Sequence, residues 1–371
     1  MRKLAFSLLL FVAGTFAGAA MSATAQAQGG TQADGADVAI DPASAQLAEI
    51  EKTYHAKLVR TLSESADPRD WALASLIGGE DKQGAVSLSA RAAAAAPNDA
   101  LVQWIALTRS DDDASANTHG ESAAARLQAI EPGNVNVWMY PLIRAARQHE
   151  EVAVDEAMQH MARSTYTDEH WYDAQKALIR VFQQHPLPDA YFKTASSMAS
   201  DPAMQMLTPE SAPYVGSLAI TAAMILPAYQ SLVNACKPRT DFQPSAALIG
   251  SCEEIGRVMA TKGSTLIANR IGFALLRVSR TYTDDDVRIA RSQDWIWEKS
   301  AALSTAEHLS AAKLIARTDD QNTAGNELEA MRRELVRANI SAYPPADWVD
   351  TRSPFSPERL QQDRAAAARA E

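Results

Sequence analysis

The chain lacks the signatures of most nucleotide and hydrolase chemistry. No Gly-rich strand-to-helix turn and no P-loop occurs in its 371 residues, so nothing supports a phosphate cradle. A Gly-x-Ser-x-Gly elbow is missing too, and a serine hydrolase would have to be assembled from residues that the sequence does not distinguish. His149, His160 and His170 lie within 22 residues of one another, beside Glu150, Glu151, Asp155, Glu156, Asp168 and Glu169, a composition able to bind zinc. No His-Glu-x-x-His or similar one-face pair accompanies them, and exposed helix ends account for all three. Asp111–Asp113 and Asp284–Asp286 lack the glycine and distal glutamate of a calcium loop and read as a solvated loop and a helix N-terminus. No catalytic, cofactor-binding or metal-binding residue is expected.

Strand signals are as scarce. Apolar residues recur at three- and four-residue steps, without alternating β-branched runs between turns, so the expected class is all-α. Basic residues are outnumbered, 35 against 45 acidic, which removes the concentrated positive face that nucleic acid needs.

The N-terminus carries an address. Arg2 and Lys3 precede an apolar run from Leu4 to Ala17, followed by small residues through Ala27. This reads as a secretory signal peptide at 1–25, cleaved after Ala25 with Ala27 as the alternative. An uncleaved anchor is the rival reading, against which the run falls short of the roughly 20 residues of a bilayer span. No Cys follows either site, so no lipid anchor is expected, and export places the protein in the periplasm or outside the cell. Without Arg2 and Lys3 the remaining formal charge is −12. In an oxidising compartment Cys236 and Cys252, the only cysteines, are expected to pair. Free buried thiols or a metal pair are the alternatives, the latter with no histidine nearby.

Four of the seven tryptophans, Trp71, Trp104, Trp138 and Trp171, follow at intervals of 33, 34 and 33 residues, each with helical periodicity around it. Such an interval matches a two-helix repeat. Residues 26–41 form a Gly- and Ala-rich leader without apolar period, and a capping helix begins at Pro42 and ends before Asp67-Pro68. Trp71 lies on a short helix interrupted by Gly78-Gly79, answered by a helix over Ala85–Ala96. Leu101, Trp104 and Ile105 are answered by Ala123–Ile130, and Val135, Trp138, Met139 and Leu142 by Val154, Met158 and Met161. Thr167 reads as the N-cap of a helix carrying Trp171, Ala174, Leu178 and Phe182.

The Ala-rich second helix, the turn Leu127-Gln128-Ala129-Ile130-Glu131-Pro132-Gly133-Asn134 and the Trp that follows it resemble a tetratricopeptide-like repeat over about residues 68 to 185. The pattern is degenerate. Its small residue at the eighth position is missing, and Pro141 sits where the first helix of the third unit should run, at a cost of about 3 kcal/mol unless that helix starts later or kinks. The resemblance implies an α-solenoid over 42–186 whose first helices line a concave surface.

Residues 187–340 read as a less regular helical half. Between Glu210 and Lys237 no charge occurs, but Ser217, Thr221, Pro227, Gln230 and Asn234 dilute the segment, which reads as a buried central helix rather than a membrane span. Thr165-Tyr166-Thr167-Asp168-Glu169 recurs as Thr281-Tyr282-Thr283-Asp284-Asp285, both read as capped turns. Residues 341–371 form a Pro-containing tail docked by Trp348.

These readings converge on an exported protein–protein interaction module without enzymatic activity, its partner another protein or a peptide. A hydrolase on an irregular helical scaffold and an inner-membrane-associated assembly factor are the alternatives. Arg144, Arg147, Lys176 and Arg180, on the first helices of the third and fourth units, are the candidate partner-binding residues, a basic strip suited to an acidic peptide if those helices lie side by side.

Overall fold

Proline and capping carboxylates set the first helix boundaries. The computed structural model describes residues 42–78, 81–110, 118–198, 207–224, 227–238, 242–304, 310–349, 353 and 355–367. The expected signal peptide, the leader and Asp111–Asp113 lie outside the described residues. Among the described residues there are seventeen α-helices, one 3-10 turn and no strand. No helix among them is long and apolar enough to cross a membrane.

After α1 (Pro42–Ser63), Asp67 caps α2 (Pro68–Ile77) by accepting from the Arg69 N–H at 2.9 Å, with Pro68 in the first turn where its missing N–H is harmless. Asp81 and Asp99 cap α3 (Lys82–Ala95) and α4 (Ala100–Arg109) in the same way, and α5 (Thr118–Ile130) follows. These four helices pack consecutively, α2 on α3, α3 on α4 and α4 on α5, and α2 also meets α4. Trp71 and Trp138 hold equivalent posts, each indole N–H donating to the carbonyl six residues upstream, Ser65 at 2.7 Å and Pro132 at 3.1 Å.

Pro141 has the effect its chemistry demands. The chain makes a 3-10 turn over Val135–Trp138 and starts α6 only at Met139 (Met139–Gln148), so Pro141 falls in the first turn, where no intrahelical bond is lost. α7 (Glu151–Ala162) packs on α6, but the pair turns away from the first two units. Val135, Met139, Leu142, Met158 and Met161 share a core with Leu232, Cys236, Ile255 and Met259 of the second half.

α8 (Trp171–Gln184) returns to the beginning. Its Ala174, Ala177, Leu178, Val181 and Phe182 join Leu73, Leu76, Trp104 and Ile105 in one core. α9 (Asp189–Ser197) closes on α1, where the Tyr191 hydroxyl donates to Glu51 at 2.6 Å and Tyr54 donates to the His185 carbonyl. Ala72–Ile77 of α2 and Leu101–Ala106 of α4 are each buried without a break. Six consecutive residues cover more than a full turn, so neither helix keeps an open face.

The uncharged segment 211–236 is two helices, α10 (Ala212–Ala222) and α11 (Gln230–Cys236), rather than one buried central helix. α10 turns small and polar residues inward, Ala212, Ser217 and Thr221, against α8, while Val215, Leu218 and Ile220 are only half-buried. α12 (Ala246–Lys262) and α13 (Leu266–Val278) are the most closely packed pair of the second half. A Cβ at Gly272 would stand 2.6 Å from the Gly256 carbonyl oxygen, so only glycine permits their approach. α14 (Asp284–Leu303), α15 (Ala311–Ala324), α16 (Glu327–Arg337) and α17 (Pro357–Ala367) complete the fold.

Cys236 at the end of α11 and Cys252 in α12 are wholly buried and bonded to each other. Reduction is therefore expected to lower stability by about 3 kcal/mol, the chain-entropy value for a loop of this length. Urea unfolding with and without a thiol reductant checks it.

Candidate functional site

The densest polar cluster lies where four connections meet, and Glu169 is at its centre. The turn preceding α8 is not the N-cap that Thr-Tyr-Thr-Asp-Glu suggests. Thr167 makes an isolated parallel bridge with Gly263, its carbonyl accepting from Ser264 N–H at 2.9 Å, and α8 starts only after His170, which stands in the left-handed region at φ 53°. The Asp168 carboxylate holds that conformation by accepting from the His170 N–H at 2.9 Å. The recurrent motif behaves differently. Thr283 and Asp286 form a capping box at the start of α14, as its sequence suggests.

Displaced from a helix surface, the Glu169 side chain is wholly buried. The Ser264 hydroxyl lies 2.8 Å from its Oε2, and Tyr229 Oη and Thr265 Oγ1 lie 2.8 and 3.3 Å from its Oε1. Tyr229 Oη also approaches Asn136 Oδ1 at 3.1 Å, which ties the 3-10 turn into the cluster. Among the described residues no lysine or arginine pairs with Glu169, and burial raises its pKa above the ordinary carboxyl range although hydroxyl donors act the other way. On the far side of the same turn Glu327 accepts from the Leu266 N–H at 2.8 Å. It is half-buried, and desolvation raises it.

His170, read from sequence as an exposed helix end, is also inside. Its Nε2 lies 3.0 Å from Glu131 Oε2 and its Nδ1 3.5 Å from Asp173 Oδ2, with the Trp104 ring alongside at 5.8 Å. Burial opposes the charged ring, but the two carboxylates prevail and lift it to about 10. His170 in turn lowers Asp173, while Glu131 falls, against its own desolvation, through the same contact. Asn134 completes the arrangement, donating to Glu131 at 3.1 Å and to the Asp168 carbonyl at 3.0 Å while its Oδ1 accepts from the Asp168 N–H. His149 ends α6 in the left-handed region, and His160 stacks face to face on Trp138 at 3.9 Å.

Asp168, His170 and Asp173 bring ligand atoms within 4.8 Å of one another. Both His170 nitrogens already face carboxylates, and Lys176 pairs with Asp173 at 2.8 Å. The arrangement is a charge bridge between the Glu131 turn and the first turn of α8. Ser264 is no activated nucleophile either, since its hydroxyl donates to a carboxylate and no histidine touches it.

The four candidate partner-binding cations are exposed, on helices that do not pack along each other. Arg144 pairs with Glu121 of α5 at 2.9 Å and Lys176 with Asp173, so these charges are neutralised locally. Arg147 and Arg180 lie one turn further along α6 and α8. Glu131, Asn134, Asn136, Glu169, Tyr229, Ser264 and Glu327 were not legible as one cluster, because they come from five separate stretches of the chain.

No protein-family model matches this chain, and neither the curated proteins nor the solved structures contain a match to it.

Glu169→Ala strands hydroxyl donors in a dry site and is expected to destabilise by about 3 kcal/mol or more, with Tyr229→Phe costing about 1 kcal/mol. Chemical denaturation of both variants reads this directly. For pH, Glu169, Glu327 and His170 all hold protons more tightly folded than unfolded. Their contribution is greatest on the acid side and is lost as pH rises, for His170 between its ordinary 6.5 and about 10. Asp173 and Glu131, held lower folded than unfolded, stabilise above the ordinary carboxyl range and lose that contribution only on strong acidification. The urea midpoint should fall from pH 6.5 to 9.5, and His170→Gln should flatten that slope while lowering the acid-side value.

Proposed function

We propose that the protein is an exported, tetratricopeptide-like helical protein that acts as a protein–protein interaction module. The observation that carries this reading is the consecutive packing of α2 to α5, with Trp71 and Trp138 making the same hydrogen bond at equivalent points of units 67 residues apart. Helix pairs of this kind offer surfaces rather than cavities. The acidic, hydroxyl and imidazole groups that an enzyme would use are here hydrogen-bonded or ion-paired to one another in the junction. The N-terminal signal-peptide pattern and the Cys236–Cys252 bond support an address in the periplasm or outside the cell.

α8 shares a core with α2 and α4, which leaves the outer helix faces as the surface this reading assigns to a partner. The partner, a protein or peptide rather than nucleic acid, engages an outer surface instead.

Affinity isolation of the full exported chain from the cell envelope, under non-reducing conditions, is expected to recover a defined partner at constant ratio. Recovery of the chain alone, together with turnover in a hydrolase screen, would reject the reading in favour of an enzyme.

A further inference from the structure

Tyr229, immediately before α11, is set between two acceptors. Its Oη lies 2.8 Å from Glu169 Oε1 and 3.1 Å from Asn136 Oδ1, and all three side chains are buried. A phenol carries one proton, so Tyr229 donates to the carboxyl or to the amide oxygen but not to both at once. Glu169 decides which. As a carboxylate it has no proton of its own and draws the one on Tyr229, and Asn136 Oδ1 then loses that donor. As a carboxylic acid it donates from Oε1 to Tyr229 Oη, which passes its own proton to Asn136. The hydroxyls of Ser264 and Thr265 serve the carboxyl in either state.

The surroundings favour the acid. Burial raises Glu169 first and Asp168 adds to it, against the hydroxyls of Tyr229 and Ser264 and the Asn136 amide. A charge on Glu169 is also felt by Glu327 at the head of α16, Tyr172 on α8 and Tyr229 itself, and it raises each of them. The neighbouring cations are engaged elsewhere, His170 with Glu131 and Asp173, and Arg317 with the hydroxyls of Ser304 and Ser300. Asn136 lies in the 3-10 turn that enters the third unit, and Val135 and Met139 on either side of it pack in the core shared with Leu232 and Ile255. Its side chain therefore stands at the seam between that unit and the second half.

We propose that Glu169, Tyr229 and Asn136 form a proton-operated switch: with Glu169 protonated the Tyr229 hydroxyl ties the 3-10 turn to the second half, and with Glu169 ionised that tie is released. Only the proton on Glu169 and the direction of one hydroxyl differ between the two states. The switch acts within the body of the fold and does not depend on what the outer helix faces bind.

Infrared spectroscopy and amide hydrogen exchange of the full chain test it together. An acid carbonyl band is expected in wild type at neutral pH, fading as pH rises and missing from Glu169→Gln, whose amide donates to Tyr229 as the acid does. The amides to follow are those of Asn136 and Val137, which donate to Asn134, and of Met139, which donates to the Asn136 carbonyl. From about pH 6 to about pH 9 their exchange should accelerate by about tenfold more in wild type than in Glu169→Gln. That comparison cancels both the intrinsic pH dependence of exchange and the titration of His170. Tyr229→Phe should shift the band without removing it and hold the exchange at its faster value throughout. Identical acid carbonyl spectra in wild type and Glu169→Gln, a band that persists unchanged to the alkaline limit, or equal exchange in the two proteins at every pH overturns the switch. Should Glu169→Gln fail to fold, Tyr229→Phe decides, because a tyrosine that only fills space would leave the position of the band and its pH response unaltered.

Discussion

One constraint organises the second half of the fold: a carboxyl group without a cation must be surrounded by donors before it can be buried. An isolated ionised carboxylate in a dry interior costs many kcal/mol, and even a protonated one leaves polar atoms to satisfy. Glu169 meets that demand with donors from Tyr229 before α11 and from Ser264 and Thr265 between α12 and α13. Each hydroxyl tolerates little displacement, so the start of α8 is fixed against both. Glu327 binds the same turn from its other side through Leu266 N–H, while Asn326 donates to the Gly263 carbonyl at 2.8 Å. Apolar packing alone would allow these helices to slide, whereas the hydrogen bonds set their register.

His170 performs the complementary task with charge. Glu131 ends the α5 turn and Asp173 lies in the first turn of α8, and the two carboxylates would repel without a cation between them. Placing the ring there requires a left-handed backbone at a non-glycine residue, a cost of about 1 kcal/mol or more. The ion pairs of His170 and the hydrogen bonds of Asp168 and Glu169 offset that cost, so the tertiary arrangement overrides the local preference of the Thr-Tyr-Thr-Asp-Glu segment. Its near-copy at Thr281–Asp285 has no buried turn to meet and keeps the capping box.

Helix existence was legible in the sequence because it depends on local spacing and caps. Asp67 stands at an N-cap before Pro68, Trp71 and Trp104 each lie on the first helix of a packed pair, and Cys236 meets Cys252. The buried cluster was not legible, since Glu131, Glu169, Tyr229, Ser264 and Glu327 look like ordinary surface or turn residues until tertiary contacts join them. Uncharged composition was also a poor guide to depth. Residues 211–236 lack charge, yet α10 buries Ser217 and Thr221 and leaves Leu218 half-exposed, because close approach to α8 favours small side chains over large ones.

The third unit packs differently from the first two, and its entry at Pro141 is built differently. Its first helix is preceded by four residues of 3-10 turn, which advance roughly 120° per residue where an α-helix advances roughly 100°. Over four residues the accumulated difference is about 80°, enough to turn the apolar face of α6 from one neighbour toward another. Val135, Met139 and Leu142 accordingly face α11 and α12 rather than the second unit. The face of α2 and α4 thus left without its third neighbour is covered by α8, and the array closes on itself when α9 reaches α1.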